Sequence, residues 1–477
     1  MQNVMGKPKE ECGVFGIYDK NGYDSARTVY YALYALQHRG QESCGMAVND
    51  DNNIFCHKDV GLVPDVFTDF VMSQVKGNIA IGHVRYATSG PNTRQNAQPL
   101  VTNYVKGTLT IAHNGNLTNA EKLSEELEQQ GAIFQSENDS EIIAYLIARE
   151  RLTSTSVEEA VSKVIPKLEG AFSLLIMSPR KLIAVRDPYG IRPLCMGKMK
   201  DTYVFASEDC ALSAIGAKFE RDIEPGEMVI VDRHGIRYNK DHCKGKAALC
   251  IFEHIYFARP DSIIDGQSVY EARKMAGRIL AQEHPVEADM VIGVPDSGLC
   301  AAIGYAEEAN IPYGTGLIKN RYIGRTFIQL TTQERREDIV NIKLNVLGTA
   351  VKGKDIVMID DSIVRGTTIK RLVTMLKQAG AKKVHVRISS PPFLWPCFFG
   401  TDISDKGQLV ACKYTEEEIR QNIGADSLGY LSAARVKDIA PDSKLDFCEA
   451  CFSGNYPFAV PLKEKESAFK KKGEKAE

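Results

Sequence analysis

The rhythm of hydrophobic positions changes about halfway along this 477-residue chain. In the first half, short apolar runs dominate, over 13–18, 46–48, 79–85, 108–113, 171–177, 182–185 and 203–206, each the length of a strand. Helical spacing interrupts them. From 25 to 37, apolar residues recur at helical intervals, and the pattern stops at Gly40. Thr118 with Glu121, and Ser156 with Glu159, have the spacing of capping boxes at helix starts. Grouped strands with grouped helices predict a layered α+β domain. The second half alternates instead. Ser268 with Glu271 opens a helix, followed by strand 290–294, helix 299–308, strand 356–359, helix 367–378 ending at Gly380, and strand 384–388. That order predicts α/β architecture with a mostly parallel sheet and ligands at the carboxyl ends of its strands.

A polar stretch at 238–245, YNKDHCKG, suits a linker. Domains are therefore expected over 12–245 and 246–460. The charged end of the chain, 461–477, reads as a disordered tail.

Composition removes several function classes. Lys and Arg number 59 against 61 Asp and Glu, a net charge of −2, which gives no support to a nucleic-acid binder or a polybasic membrane protein. No apolar run approaches the roughly 20 residues that span a bilayer. The first residues, MQNVMGKPKEE, have no apolar core and do not resemble a secretory signal. A cytoplasmic protein is expected. Its twelve cysteines are then unsuited to structural disulfides, so metal binding or catalysis must be considered for some of them.

The segment 355–368, DIVMIDDSIVRGTT, is an apolar strand ending in Asp360 and Asp361, then a short loop and a helix start at Gly366, Thr367 and Thr368. Backbone N–H groups at a helix N-terminus bind phosphate, and Gly366 permits close approach. Carboxylates at a strand end accept hydrogen bonds from sugar hydroxyls and help to hold Mg²⁺. An Asp-Asp pair in this position also serves simply as a helix cap. The spacing is not that of a nucleoside-triphosphate P-loop. The whole string resembles the phosphoribosylpyrophosphate (PRPP) signature of type I phosphoribosyltransferases, and Ser362 falls within it. Upstream, VPDSG at 294–298 stands where those enzymes hold pyrophosphate, through Asp296 and Ser297. Between the two lies KNRYIGRTFIQ at 319–329, which suits a loop closing over pyrophosphate with Lys319, Arg321 and Arg325, or else a solvated basic surface. The resemblance implies Mg²⁺ held near Ser297, Asp360 and Asp361.

Cys12 opens the first predicted strand, a position where a cysteine is usually a small buried hydrophobe. It is followed by QHRGQ at 37–41, GHVRYAT at 82–88, HNGNL at 113–117 and NDSE at 138–141. In order and spacing these strings resemble class II glutamine amidotransferase domains, whose nucleophile is an N-terminal cysteine. Taken together, both halves resemble the amidophosphoribosyltransferase family over roughly 12–460. The resemblance implies an N-terminal-nucleophile αββα sandwich followed by the phosphoribosyltransferase domain. It also implies removal of residues 1–11 as a propeptide, because only a free α-amino group, with a pKa of about 7.7–8.0, can serve as the general base for Cys12. Asn114 and the Gly115 N–H are implied as the oxyanion hole. Arg85 is implied to bind the glutamine carboxylate and Asp139 its ammonium group, with Thr88 and Arg39 supporting that site.

Ammonia must reach PRPP unprotonated, and the resemblance makes Tyr256, in HIYFARPDS, a gate between the sites. It further implies purine-nucleotide inhibitors, a homotetramer and the first step of purine synthesis. Cys448 and Cys451 form a C-x-x-C pair that on its own is a moderate metal signal. The resemblance adds Cys250 and Cys397. Four thiolates suit a [4Fe–4S] cluster and equally a zinc ion; the family's cluster-bearing branch has cysteine at all four positions. The other readings are a salvage phosphoribosyltransferase, a catalytically silent PRPP-sensing regulator, and a different glutamine-dependent synthase sharing only the first half.

Overall fold

A computed structural model of the chain describes residues 12–86, 91–320, 344–401, 403 and 405–460. The first half builds two antiparallel sheets. Seven strands run in the order Lys218–Asp222, Cys195–Met199, Thr202–Ala206, Gly13–Tyr18, Ile79–Arg85, Ser43–Asp50, Asn53–Val60. Six more run Gly235–Asn239, Met228–Asp232, Lys181–Arg186, Gly170–Ser178, Gly107–Leu117, Leu100–Tyr104. The period-2 alternation of strand side chains gives each sheet two faces. Val14, Ile79 and Ile81 of the first sheet pack against Leu175, Ala184 and Val229 of the second in one buried layer. Phe15 and Ile17 face the other way, against Val29 and Leu33 of the helix Ser25–Ala35. Leu174 and Ile176 pack beneath the helices Ala120–Gln129, Asp139–Glu150 and Val157–Val164. The result is the predicted four-layer αββα sandwich.

Several elements differ from the pattern-based expectation. The run at 46–48 belongs to the longer strand Ser43–Asp50, which forms a hairpin with Asn53–Val60. Its turn residues Asp51 and Asn52 have φ of 44° and 76°, the left-handed geometry of a tight hairpin. The strand Gly107–Leu117 continues through HNGNL, so these residues lie on a strand end. Thr118 does not cap the next helix, which begins at Ala120 after Asn119. Ser156 does cap its helix, accepting from the Glu159 N–H at 3.2 Å.

The second half holds a parallel sheet in the order Met290–Gly293, Asp355–Asp360, Lys383–Ile388, Ser427–Tyr430. Ile356 and Met358 point to one face, against Ile369, Leu372 and Leu376 of the helix Thr367–Gln378. Val357 and Ile359 point to the other, toward Ala276 and Leu280 of the helix Val269–Glu283 and Ala301 of the helix Leu299–Ala309. Those two helices approach closely through small residues. A Cβ on Gly277 would stand 1.9 Å from the Ala301 carbonyl oxygen, and one on Gly304 1.9 Å from that of Lys274. Leu249–Cys250 pairs in parallel with Phe447–Cys448, so the start and the end of this half are joined. Among the described residues no helix is long and apolar enough to cross a membrane.

Candidate functional sites

The first site lies where adjacent strand ends of the sandwich converge. Cys12 immediately precedes Gly13–Tyr18, whose neighbour Ile79–Arg85 pairs Gly13 with Val84. This brings the buried Cys12 thiol to 3.5 Å from the Tyr86 carbonyl oxygen, next to Arg85. Burial lowers the Arg85 pKa, opposed by Cys12, Glu42 and Asp139. The guanidinium nonetheless keeps its charge at neutral pH.

Asn114 and Gly115 lie on Gly107–Leu117 in the second sheet. Both side-chain atoms of Asn114, Oδ1 and Nδ2, are buried without a hydrogen-bond partner. An unpaired buried amide is unfavourable unless a ligand completes it. Gly115 has φ of 144°, and a Cβ there would stand 2.0 Å from the Ala171 carbonyl oxygen, so only glycine fits.

Asp139 begins the helix Asp139–Glu150, capped by Asn138. It contacts His113 Nδ1 at 3.2 Å and accepts from the Leu117 N–H at 3.0 Å. Burial alone would raise its pKa, but His113, the Leu117 amide and Arg85 outweigh burial and hold the carboxyl below its ordinary value. A buried anion thus stands near the buried Arg85 cation, the pair of charges that an α-amino acid carries in reverse.

QHRGQ acts behind this site. Gly40 packs against the backbone of Val84 and Arg85, where a Cβ would meet the Val84 carbonyl carbon at 2.4 Å. Gln37 accepts from the Val63 N–H at 2.7 Å. Arg39 is fully buried, and its guanidinium is held by protein groups. Its Nε donates to the Cys12 carbonyl oxygen at 2.9 Å, and its two Nη atoms to Glu208 and Glu253. The expected support from Arg39 is therefore contact with the cysteine backbone.

The second site forms at the carboxyl ends of Met290–Gly293 and Asp355–Asp360, which are neighbours in the parallel sheet. Asp360 and Asp361 are buried. Ser297 Oγ donates to one Asp361 oxygen at 2.6 Å, Ser362 Oγ to the other at 2.5 Å, and the Asp361 N–H to Asp360 at 3.0 Å. Gly298 is needed here, since a Cβ would lie 2.4 Å from the Ile359 carbonyl oxygen. Gly366, with φ of 81°, turns the chain into Thr367–Gln378 and leaves that helix's first N–H groups facing the site. Lys319 reaches across to pair with Asp296 at 2.5 Å. Among the described residues no three of His, Cys, Asp or Glu are gathered to hold a metal ion. Two adjacent carboxylates with a serine hydroxyl nevertheless suit Mg²⁺, which takes the rest of its oxygen shell from phosphate and water.

Cys250, Cys397, Cys448 and Cys451, up to 201 positions apart in the sequence, line a single small cavity with Phe252, Phe393, Phe399 and Tyr456. Burial raises all three of the thiols at 250, 448 and 451, Cys448 to about 12, and neighbouring sulfurs add to it. A bound cation would reverse that trend. Beside the cavity, the one-turn π-helix Glu253–Phe257 carries Tyr256, whose ring lies 5.8 Å from those of Phe252 and Phe257. Asn116, just beyond the Asn114–Gly115 pair, donates to the Phe398 carbonyl oxygen at 2.8 Å and ties the first site to the second half.

Residues 1–11, Thr88, Arg321, Arg325 and the tail 461–477 lie outside the described residues. Two further residues that the sequence strings do not single out support the first site. Gln98 accepts from the His113 N–H at 2.7 Å, and His83 Nε2 lies 2.9 Å from the His113 carbonyl oxygen. His83 sits inside the GHVRYAT string, so it was within reach of the sequence; nothing local marks Gln98.

Comparison with known proteins follows the same division. A glutamine amidotransferase domain model matches residues 83–214 and a phosphoribosyl transferase domain model residues 261–389. The amidophosphoribosyltransferase of Methanocaldococcus jannaschii is 49% identical over 94% of this chain and 98% of its own length. That of Bacillus subtilis is 49% identical over 94% and 95%. The solved structure of the B. subtilis glutamine PRPP amidotransferase complexed with ADP and GMP superposes with a TM-score of 0.88 at 47% identity, covering 95% of this chain and 99% of that one.

Proposed function

The chain belongs to the amidophosphoribosyltransferase family, and from that premise we propose how its residues divide the work. The enzyme converts PRPP, glutamine and water into 5-phosphoribosylamine, glutamate and pyrophosphate, the first step of de novo purine synthesis. Relatives that span both halves carry the glutamine amidotransferase half for which a salvage phosphoribosyltransferase has no use.

Cys12 is the nucleophile, exposed as the first residue by loss of 1–11. Its α-amino group takes the thiol proton and returns it to the leaving ammonia. Arg85 binds the glutamine carboxylate, Asp139 the ammonium group, and Thr88 assists. Asn114 Nδ2 and the Gly115 N–H stabilise the oxyanion of the tetrahedral intermediate. The observation that carries this reading is the buried, unpartnered amide of Asn114, held in a strand shared with Gly115.

Ammonia then passes Tyr256 to the second site. There the helix start at Gly366, Thr367 and Thr368 holds the 5-phosphate, Asp360 and Asp361 hold the ribose hydroxyls, and Asp296 and Ser297 shape the pyrophosphate loop. Ser362 orients Asp361. Lys319, Arg321 and Arg325 close over the leaving pyrophosphate and stabilise its charge. Ser297, Asp360 and Asp361 would hold Mg²⁺, which when bound neutralises pyrophosphate oxygens.

Four cysteines lining one cavity are the ligand set of a [4Fe–4S] cluster or of a zinc ion, and the likeness to the cluster-bearing branch of the family favours the cluster. A [4Fe–4S] cluster held by Cys250, Cys397, Cys448 and Cys451 would be structural, joining the two ends of the second half. We place the domain limits at 12–245 and 246–460, and the enzyme in the cytoplasm as a homotetramer inhibited by purine nucleotides. The deciding assay is glutamate release and pyrophosphate formation with and without PRPP. Cys12→Ser should abolish the glutamine-dependent reaction and leave the ammonia-dependent one.

A further inference from the structure

Between the two sites lies a set of buried charges that the reaction as written does not use. Glu253, the first residue of the π-helix that carries Tyr256, is fully buried. Its two carboxylate oxygens accept from Arg39 at 2.8 and 3.0 Å, and one also accepts from Arg192 at 3.3 Å. The same Arg39 guanidinium donates to Glu208 at 2.5 Å. Glu208 in turn accepts from Ser262 Oγ at 2.6 Å and the Arg259 N–H at 3.0 Å. Both ends of segment 253–262 are thereby joined to one guanidinium. The remaining contact of that guanidinium is Nε to the Cys12 carbonyl oxygen at 2.9 Å.

We propose that Glu253 is a positioning residue for the nucleophile, fixing Arg39 and through it the backbone of Cys12. This rests on the reading of Cys12 as the first residue of the mature enzyme. A chain-terminal residue has lost its upstream peptide link, so a hydrogen bond to its carbonyl helps to fix it against Asn114 and Gly115. Arg39 supplies that fixation, and a planar guanidinium is oriented by what its other nitrogens bind. One carboxylate comes from the glutaminase half and the other from the turn of the gate. The gate turn is itself held from the far side. Arg273, on Val269–Glu283, donates to the His254 and Ala258 carbonyl oxygens at 3.0 and 2.7 Å. Its helix packs through Gly277 and Gly304 onto Leu299–Ala309, which starts at the pyrophosphate loop. Glu253 thus sits where the geometry of the gate meets that of the nucleophile.

The test compares Glu253→Gln and Glu253→Asp with the parent enzyme, using glutamine or ammonia as nitrogen donor at saturating PRPP. Thermal unfolding checks that each is folded. Glu253→Gln keeps the shape and loses the charge. It should lower the glutamine-dependent kcat at least tenfold, leave the KM for glutamine within twofold because Arg85 and Asp139 are untouched, and leave the ammonia-dependent rate within twofold. Glu253→Asp, which keeps the charge, should recover part of the loss. If Glu253→Gln does not fold, Glu253→Asp must show the same split between donors. A glutamine-dependent kcat within twofold of the parent overturns the proposal, as does a parallel fall with both donors. A parent enzyme that forms no phosphoribosylamine from either donor would instead remove the functional reading.

Discussion

Asn114 is the residue on which the proposed chemistry of the first site is most exposed to test. Its amide is buried and unpaired, in a strand whose next residue must be glycine. Asn114→Ala is expected to lower the glutaminase kcat by about 10²–10³ with little change in KM, since an oxyanion donor acts on the transition state. Steady-state kinetics checks this. Arg85→Lys should instead raise the KM for glutamine, because an ammonium cannot make the paired contact of a guanidinium with a carboxylate. His83 gives a pH dependence. Burial pushes its pKa down from 6.5 to about 3. Between those values the unfolded chain binds a proton that the folded chain does not, so stability falls as the pH drops below about 6.5, by at most about 1.4 kcal/mol per pH unit. Urea unfolding at pH 7 and pH 5 should show that loss in the parent enzyme and a smaller one in His83→Gln.

At the scale of elements, the signals differ in strength. Ser156→Ala should destabilise the first half by about 1 kcal/mol, read as a lower Tm of its unfolding, because the Glu159 N–H loses its cap. That cap was legible from spacing, as were the apolar central strands and the helix Thr367–Gln378. Lys218–Asp222, Asn53–Val60, Gly235–Asn239 and Leu100–Tyr104 were not. All four are edge strands of their sheets. Paired on one side and partly exposed, they carry polar side chains, as edges do, and lack the apolar run that marks a central strand. Two central strands also fall outside the runs read from the sequence: Met228–Asp232, MVIVD, is as apolar as the strands that were predicted, whereas Cys195–Met199, CMGKM, is interrupted by Gly197 and Lys198.

For the whole molecule, the strings legible in the sequence are those whose geometry is local: a strand, a tight turn and a helix start around Asp360 and Asp361, or the required Gly115 beside the unpartnered amide of Asn114. What joins the halves was not legible. Arg39 and Glu253 are 214 residues apart and Arg186 and Asp265 are 79 apart, yet each pair meets in full burial. No periodicity marks such partners, and a charged residue read alone is a surface residue. The four cysteines were grouped by resemblance, and the fold places them around one cavity. Cys448→Ser is expected to lose most of the iron and to lower the Tm, while anaerobically purified parent enzyme should carry about four irons per chain. Zinc in place of iron would refute the cluster.

The two sites are proposed to act as one enzyme, with ammonia made at Cys12 consumed by PRPP held beside Asp360 and Asp361. The most direct measurement counts glutamate, pyrophosphate and phosphoribosylamine released in the same reaction, with and without PRPP. Equal amounts of all three are expected, with glutamine hydrolysis that rises when PRPP is added. Glutamate released at the same rate without PRPP, or in excess over pyrophosphate, would contradict it.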